Sequence, residues 1–259
     1  MKNISITFLF FLFISPLLSF GQASFSVQKI GNKGNYILFI PGLACSAEVW
    51  KDTVKEFSPN HTCYLFTMAG FAGTAPVKNP SLDNWAEAII SYVKKEKIKK
   101  PIIVGHSLGG MLAMKIAAKE PKLLQKIVIV DALPALAALS NGDFKADSNK
   151  DCTPIIKELV GMPKENFQQA QTSSMVYYTE SKDRIPQIIQ WSMDSDRETI
   201  GKMVCELSNT DLREEIQHIE VPTLVLLESV FSFSRDKIEQ QYAKLPKKEL
   251  RYANKGLHF

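Results

Sequence analysis

One serine stands in a setting that would make it a nucleophile. Ser107 is the centre of Gly105-His106-Ser107-Leu108-Gly109-Gly110, a Gly-x-Ser-x-Gly spacing. Pro101-Ile102-Ile103-Val104 reads as a buried strand leading into it, and Met111–Lys119 reads as a helix of Ala, Met and Leu stopped by Pro121. At a strand-to-helix turn of this kind the glycines permit a tight bend without a Cβ clash. The hydroxyl is then pushed into the open near a helix N-terminus. Such a serine attacks a carbonyl carbon only when a general base takes its proton and a carboxylate orients that base. The chain offers His61, His106, His218 and His258 as bases. His106 lies in the turn itself, with its ring expected to point away from Oγ. His61 precedes a strand and His218 ends a helix, positions that suit structural or surface roles, whereas His258 follows the strand-like run Leu250–Ala253. Three carboxylates follow strands: Asp131 ends Ile127–Val130, Glu228 comes directly after Thr223–Leu227, and Asp236 comes a further turn on.

Other chemistries find less support. Cys45, Cys63, Cys152 and Cys205 show no CxxC spacing and the histidines no HExxH spacing, so neither a metal site nor a cofactor is called for. Four cysteines permit three full pairings. Cys45 follows the end of its strand and Cys63 begins a neighbouring one. In parallel strands these positions fall at opposite sheet edges, which disfavours their joining. The net charge is 31 − 27 = +4. The densest basic stretch, Lys94–Lys100, ends an amphipathic segment and reads as a solvated helix C-terminus, so no nucleic-acid partner is expected.

The elements that must position Ser107 are legible as an alternation. Short runs rich in branched and aromatic residues are expected strands: Phe25–Ile30, Tyr36–Ile40, Cys63–Thr67, Ile102–Gly105, Ile127–Val130, Pro222–Leu227 and Glu249–Tyr252. Between them Ala47–Phe57 and Leu82–Ile98 have helical spacing, with Trp85, Ile89, Ile90 and Val93 on one face of the second. Such alternation implies a mostly parallel sheet covered on both faces. It breaks between Asp131 and about Thr210, where helical segments occur without a strand. A helical cap over about residues 132–210 is expected, bringing Phe167, Met175, Tyr177, Tyr178, Trp191 and Met193 to pack it down and in part to line a pocket. At the other end, Lys2 followed by the apolar run Ile4–Phe20 and the small residues Ser19 and Gly21 reads as a signal peptide over residues 1–21. Export is expected, without a stable membrane span.

From about residue 24 onward the chain resembles an α/β-hydrolase. The elbow Gly105–Gly110 carries the likeness, as do Tyr36–Ile40 running into Pro41-Gly42-Leu43 and the closing pair His258-Phe259. The family usually has His-Gly after that earlier strand; Pro41 here replaces the His. The resemblance implies an oxyanion hole of the Leu43 and Leu108 amides and His258 as base. Members commonly carry the acid after the penultimate strand in a Gly-x-x-Asp continuation, but Glu228-Ser229-Val230-Phe231 stands there. A minority place it where Asp131 stands. Asp131 is therefore the expected acid, with Glu228 and Asp236 as alternatives. Met68–Gly73 replaces a loop of Asp-x-x-Gly-x-Gly type and is expected to shape the pocket floor. The last helix that usually follows the histidine is not in the sequence, which leaves His258 on an end expected to fray.

The activity the resemblance implies is that of a serine hydrolase cleaving a small or medium carboxylic ester through an acyl-enzyme. Thioesterase, lactonase, C–C hydrolase or perhydrolase chemistry would use the same residues. A dehalogenase would need Asp in place of Ser107. A non-catalytic binding member that keeps the elbow as structure is the competing reading.

Overall fold

Seven of the apolar runs become strands. They are β1 (Phe25–Ile30), β2 (Tyr36–Ile40), β3 (Thr62–Met68), β4 (Ile102–His106), β5 (Lys126–Val130), β6 (Thr223–Leu227) and β7 (Lys248–Tyr252). The computed structural model describes residues 23–259, so the expected signal segment lies outside the described residues. The strands form one sheet in the order β1-β3-β2-β4-β5-β6-β7. β1 runs antiparallel to β3, and every other pairing is parallel.

Both faces of β2 and β3 are buried, and β4, β5 and β6 bury one face fully and the other in part, which explains their apolar runs. Leu38 and Ile40 of β2 join Phe66, Ile103 and Ile129 in the main core, whereas Ile37 and Phe39 face the opposite side with Cys63, Leu65, Trp50 and Val54. That opposite side is covered by a 3₁₀ turn, Ala47–Trp50, and by α1 (Lys51–Phe57). The main-core side receives α2 (Leu82–Lys95), through the stripe Leu82, Trp85, Ala86, Ile89, Ile90 and Val93, and α3 (Leu108–Lys119). α2 is shorter than its periodicity implies. Lys97 adopts φ 54°, and the Ile98 N–H turns back to the Val93 carbonyl at 3.0 Å, so Ile98 is buried by a chain reversal rather than by another helical turn.

Between β5 and β6 the described chain is helical: α4 (Thr153–Gly161), α5 (Lys164–Ser174), α6 (Ile185–Met193) and α7 (Arg197–Asn209), with short 3₁₀ turns. Ile200 and Met203 of α7 are buried in the main core. A disulfide joins Cys152, just before α4, to Cys205 of α7, while Cys45 and Cys63 are buried free thiols. After β6 come the 3₁₀ turn Ser229–Ser234 and α8 (Arg235–Gln241). Tyr242, following α8, donates its hydroxyl to the Ala132 carbonyl at 2.6 Å, which fixes the chain as it leaves Asp131.

Candidate active site

The turn between β4 and α3 is closed tightly enough to force Ser107 into an unusual backbone conformation, φ 53° and ψ −117°. A residue with a side chain seldom holds positive φ unless its surroundings impose it. Here they do: the Ser107 N–H donates to the Val130 carbonyl at 2.8 Å. A Cβ on Gly105 would lie 2.1 Å from the Gly109 carbonyl oxygen, and one on Gly109 would lie 2.2 Å from that of Ile40, so only glycine fits at either place. Helix α3 begins at Leu108, three residues earlier than its sequence suggests, so its N-terminus adjoins the serine.

Among the described residues, two main-chain donors beside it make no hydrogen bond. Leu108 opens α3 and has no intrahelical acceptor for its N–H. The Leu43 amide makes no backbone bond. The loop that carries Leu43 leaves β2 against the elbow, close enough that a Cβ on Gly42 would sit 3.2 Å from Ser107 Cβ.

Asp131 follows β5 and is buried, with φ 51°. Its N–H donates to the Leu226 carbonyl at 2.7 Å, extending the β5–β6 pairing past the strand ends. Its Oδ2 meets His258 Nδ1, and its Oδ1 accepts the Glu228 N–H at 2.9 Å. Of the three candidate carboxylates, the structure therefore brings Asp131 to the imidazole. Glu228 reaches Asp131 through its backbone, and burial followed by the nearby Asp131 charge pushes its carboxyl above the ordinary value. Asp236 is exposed in the first turn of α8. His258 is held rather than frayed, because the next residue, Phe259, donates its N–H to the Tyr178 carbonyl at 2.7 Å. Among the described residues no hydrogen bond links Ser107 Oγ to His258. Bonds of this kind are often long in an unliganded site and tighten around substrate.

His61 is half-buried and His218 exposed. His106 does more than its place in the elbow implies. Its ring packs on that of His258, with centroids 4.4 Å apart, and on Phe259 at 5.2 Å. Among the described residues both ring nitrogens are buried without partners. Burial, reinforced by His258, brings its pKa down to about 3, so it is a neutral floor beneath the other imidazole. The only sequence signal for this role is a ring adjacent to the serine at a strand end.

The helices inserted after β5 reach this site. Met175, Ile188 and Trp191 form a buried apolar cluster with Cys45, against which Ala72 and Phe259 pack. Cys45 is thus a wall residue, and burial raises its thiol pKa to about 12. The Met68–Gly73 loop is tied to the α6–α7 junction: Ala72 N–H donates to Ser195 Oγ at 2.8 Å, and Asp196 N–H to the Gly70 carbonyl at 2.7 Å. Phe167 is buried in the main core, Tyr177 is 75% exposed, and the Tyr178 ring lies 5.7 Å from that of His258. A cleft of about 530 Å³ opens beside Phe259 and Trp191, bordered by Glu48, Lys51, Asp52 and Arg184.

A sheet of this order, an elbow after its fourth strand and an Asp–His pair at the same edge meet a direct match in sequence. Residues 37–250 match the Alpha/beta hydrolase family. The chain belongs to that family. A curated relative, the pimeloyl-[acyl-carrier protein] methyl ester esterase of Vibrio cholerae, is 23% identical over 201 residues, covering 76% of each chain. Among solved structures, a hydrolase from Pseudomonas aeruginosa superposes with a TM-score of 0.74 at 14% identity, covering 90% of this chain and 87% of that one. The enol-lactonase from Burkholderia xenovorans gives 0.72 at 14% identity, covering 90% and 89%. The α/β-hydrolase fold expected from the elbow is thus established, and the protein is a hydrolase of that family. Among the described residues no helix is long and apolar enough to cross a membrane.

Proposed function

We propose that this hydrolase cleaves a small or medium carboxylic ester through an acyl-enzyme on Ser107. The observation that carries the reading is the convergence of the strained Ser107 turn with the Asp131–His258 pair at one sheet edge. In this reading Ser107 Oγ attacks the ester carbonyl carbon while its proton passes to His258 Nε2. Asp131 holds Nδ1–H and stabilises the imidazolium that forms. The Leu43 and Leu108 amides bind the tetrahedral oxyanion, donors whose removal in comparable sites costs about 10²–10³ in turnover. Collapse expels the alcohol, which takes the proton from His258. Water then gives a proton to the same nitrogen and attacks the acyl carbon, releasing the acid and restoring Ser107. The apolar cluster of Met175, Ile188 and Trp191 suits an acyl or alkyl arm, and the charged cleft beyond Phe259 suits a polar end.

The test is the pair of Ser107→Ala and the parent protein, assayed on short-chain p-nitrophenyl esters and with a fluorophosphonate probe. Turnover and labelling are expected in the parent and absent from the variant. Labelling that survives in Ser107→Ala overturns the nucleophile. A parent that neither turns over esters nor takes the probe overturns the serine-ester reading.

Export is part of the proposal. The apolar N-terminal run motivates it, and the Cys152–Cys205 disulfide supports it, since such bonds persist in oxidising compartments. Intact Met1 on the mature protein, read by mass spectrometry, would argue against it.

A further inference from the structure

Glu228 adjoins the acid–base pair, and the hydrolytic reading gives it no task. Its N–H donates to Asp131 Oδ1 at 2.9 Å, the oxygen that His258 does not use. The next residue grips the segment that carries the imidazole: Ser229 donates to the Gly256 carbonyl from its N–H at 3.2 Å and from its Oγ at 2.8 Å. Two consecutive residues therefore fix Asp131 on one side and the approach to His258 on the other. The Glu228 side chain is half-buried, and among the described residues its buried Oε2 has no hydrogen-bond partner. The charged groups that bear on it are Asp131, from the end of β5, and His258, from the segment after β7. Near Asp131 the buried Tyr242 hydroxyl, which donates to the Ala132 carbonyl, remains neutral, and the neutral His106 ring packs on His258 at 4.4 Å.

A half-buried carboxyl whose inner oxygen lacks a hydrogen-bond partner, near a second carboxylate and an imidazole, does not titrate independently of them. Two neighbouring carboxylates resist ionising together, and an imidazolium relieves that resistance. On this basis, and resting on the hydrolytic reading above, we propose that Glu228 is a positioning residue whose amide orients Asp131 and whose carboxyl exchanges charge with His258. It thereby sets the pH at which the imidazole becomes a free base. No covalent step is involved: Glu228 gives a proton to solvent as His258 gains one, and the reverse.

The experiment follows the ring nitrogens of His258 by NMR across pH in the intact protein and in Glu228→Gln. In the parent, an ionised Glu228 favours the imidazolium. The His258 midpoint is therefore expected about half a pH unit or more above that of the variant, and its curve broader than a single-site titration. The acid limb of kcat/KM on a p-nitrophenyl ester should move down in pH by the same amount in Glu228→Gln. Coincident midpoints overturn the proposal. If Glu228→Gln does not fold, the parent curve alone decides, since a single-site His258 titration overturns it equally. The NMR readout needs no substrate, so loss of the Ser107 assignment and loss of this coupling are separate results.

Discussion

Ser107 donates its backbone N–H to Val130, the residue directly before Asp131. The candidate nucleophile and the candidate acid are thus one hydrogen bond and one peptide unit apart through the main chain, and both hold positive φ, 53° and 51°. Neither side chain reaches the sheet edge by flexibility. Each is turned outward by a backbone that neighbouring strands hold in a conformation other residues avoid.

Glycine at 109 is what lets that turn pack against β2. In Gly109→Ala the new Cβ would collide with the Ile40 carbonyl, a backbone atom that cannot step aside. Overpacking of this kind costs about 1–3 kcal/mol or more. Urea unfolding should show that loss, and fluorophosphonate labelling of Ser107 should fall at least about tenfold even where the variant is folded. Parent-like labelling and stability would mean that the turn is looser than its geometry indicates.

The acid assignment is open to direct comparison. Asp131→Asn leaves His258 without its carboxylate partner and favours the wrong tautomer, a loss of about 10⁴ in serine proteases. Turnover should drop at least about a hundredfold. Asp236→Asn, on an exposed helix turn, and Glu228→Gln, which keeps its amide bond to Asp131, should each cost less than about tenfold at the pH optimum. A crippling Glu228→Gln beside a mild Asp131→Asn would reverse the roles.

Much of this architecture is legible in the order of the amino acids. The strands stand out because buried parallel strands are apolar on both faces, and the elbow because its strand, glycines and helix lie within one local stretch. Asp131 is legible only as one of three carboxylates. Choosing among them requires knowing that β5 and β6 are neighbours and that the chain after β7 folds back over both. The contact of His106 with His258 spans over 150 residues of sequence and leaves no local pattern. The same holds for the Glu228 amide, since a backbone donor has no residue type to read. The periodicity overruns the end of α2 because Ile98 is as apolar as the helical stripe, although a reversal buries it.

The helices inserted after β5 are expected to choose the substrate. Trp191 is too tightly packed for a clean test, since removing a buried aromatic costs about 3–5 kcal/mol regardless of substrate. Tyr178 is exposed while its ring stands next to His258. Tyr178→Ala should change the ratio of kcat/KM between acetate and octanoate p-nitrophenyl esters by about threefold or more, with thermal stability within about 0.5 kcal/mol of the parent. An unchanged ratio would leave the inserted helices with packing as their role.

A buried histidine and a half-buried carboxyl give stability opposite slopes with pH. His106 is kept neutral, its pKa down from the ordinary 6.5 to about 3. Below about pH 6.5 the unfolded chain binds a proton there that the folded chain refuses, so stability falls as pH drops through that window. Glu228 is raised above its ordinary 4.5 by burial and by Asp131. Above about pH 4.5 the unfolded chain releases that proton while the folded chain retains it. Its contribution is therefore greatest at low pH and declines as pH rises toward the folded value. Glu228→Gln removes the second slope and leaves the first. Its melting temperature should equal that of the parent near pH 4 and exceed it at pH 7, with the gap widening between. A gap that is constant with pH would show that Glu228 titrates alike in both states, and its burial beside Asp131 would then have no electrostatic consequence.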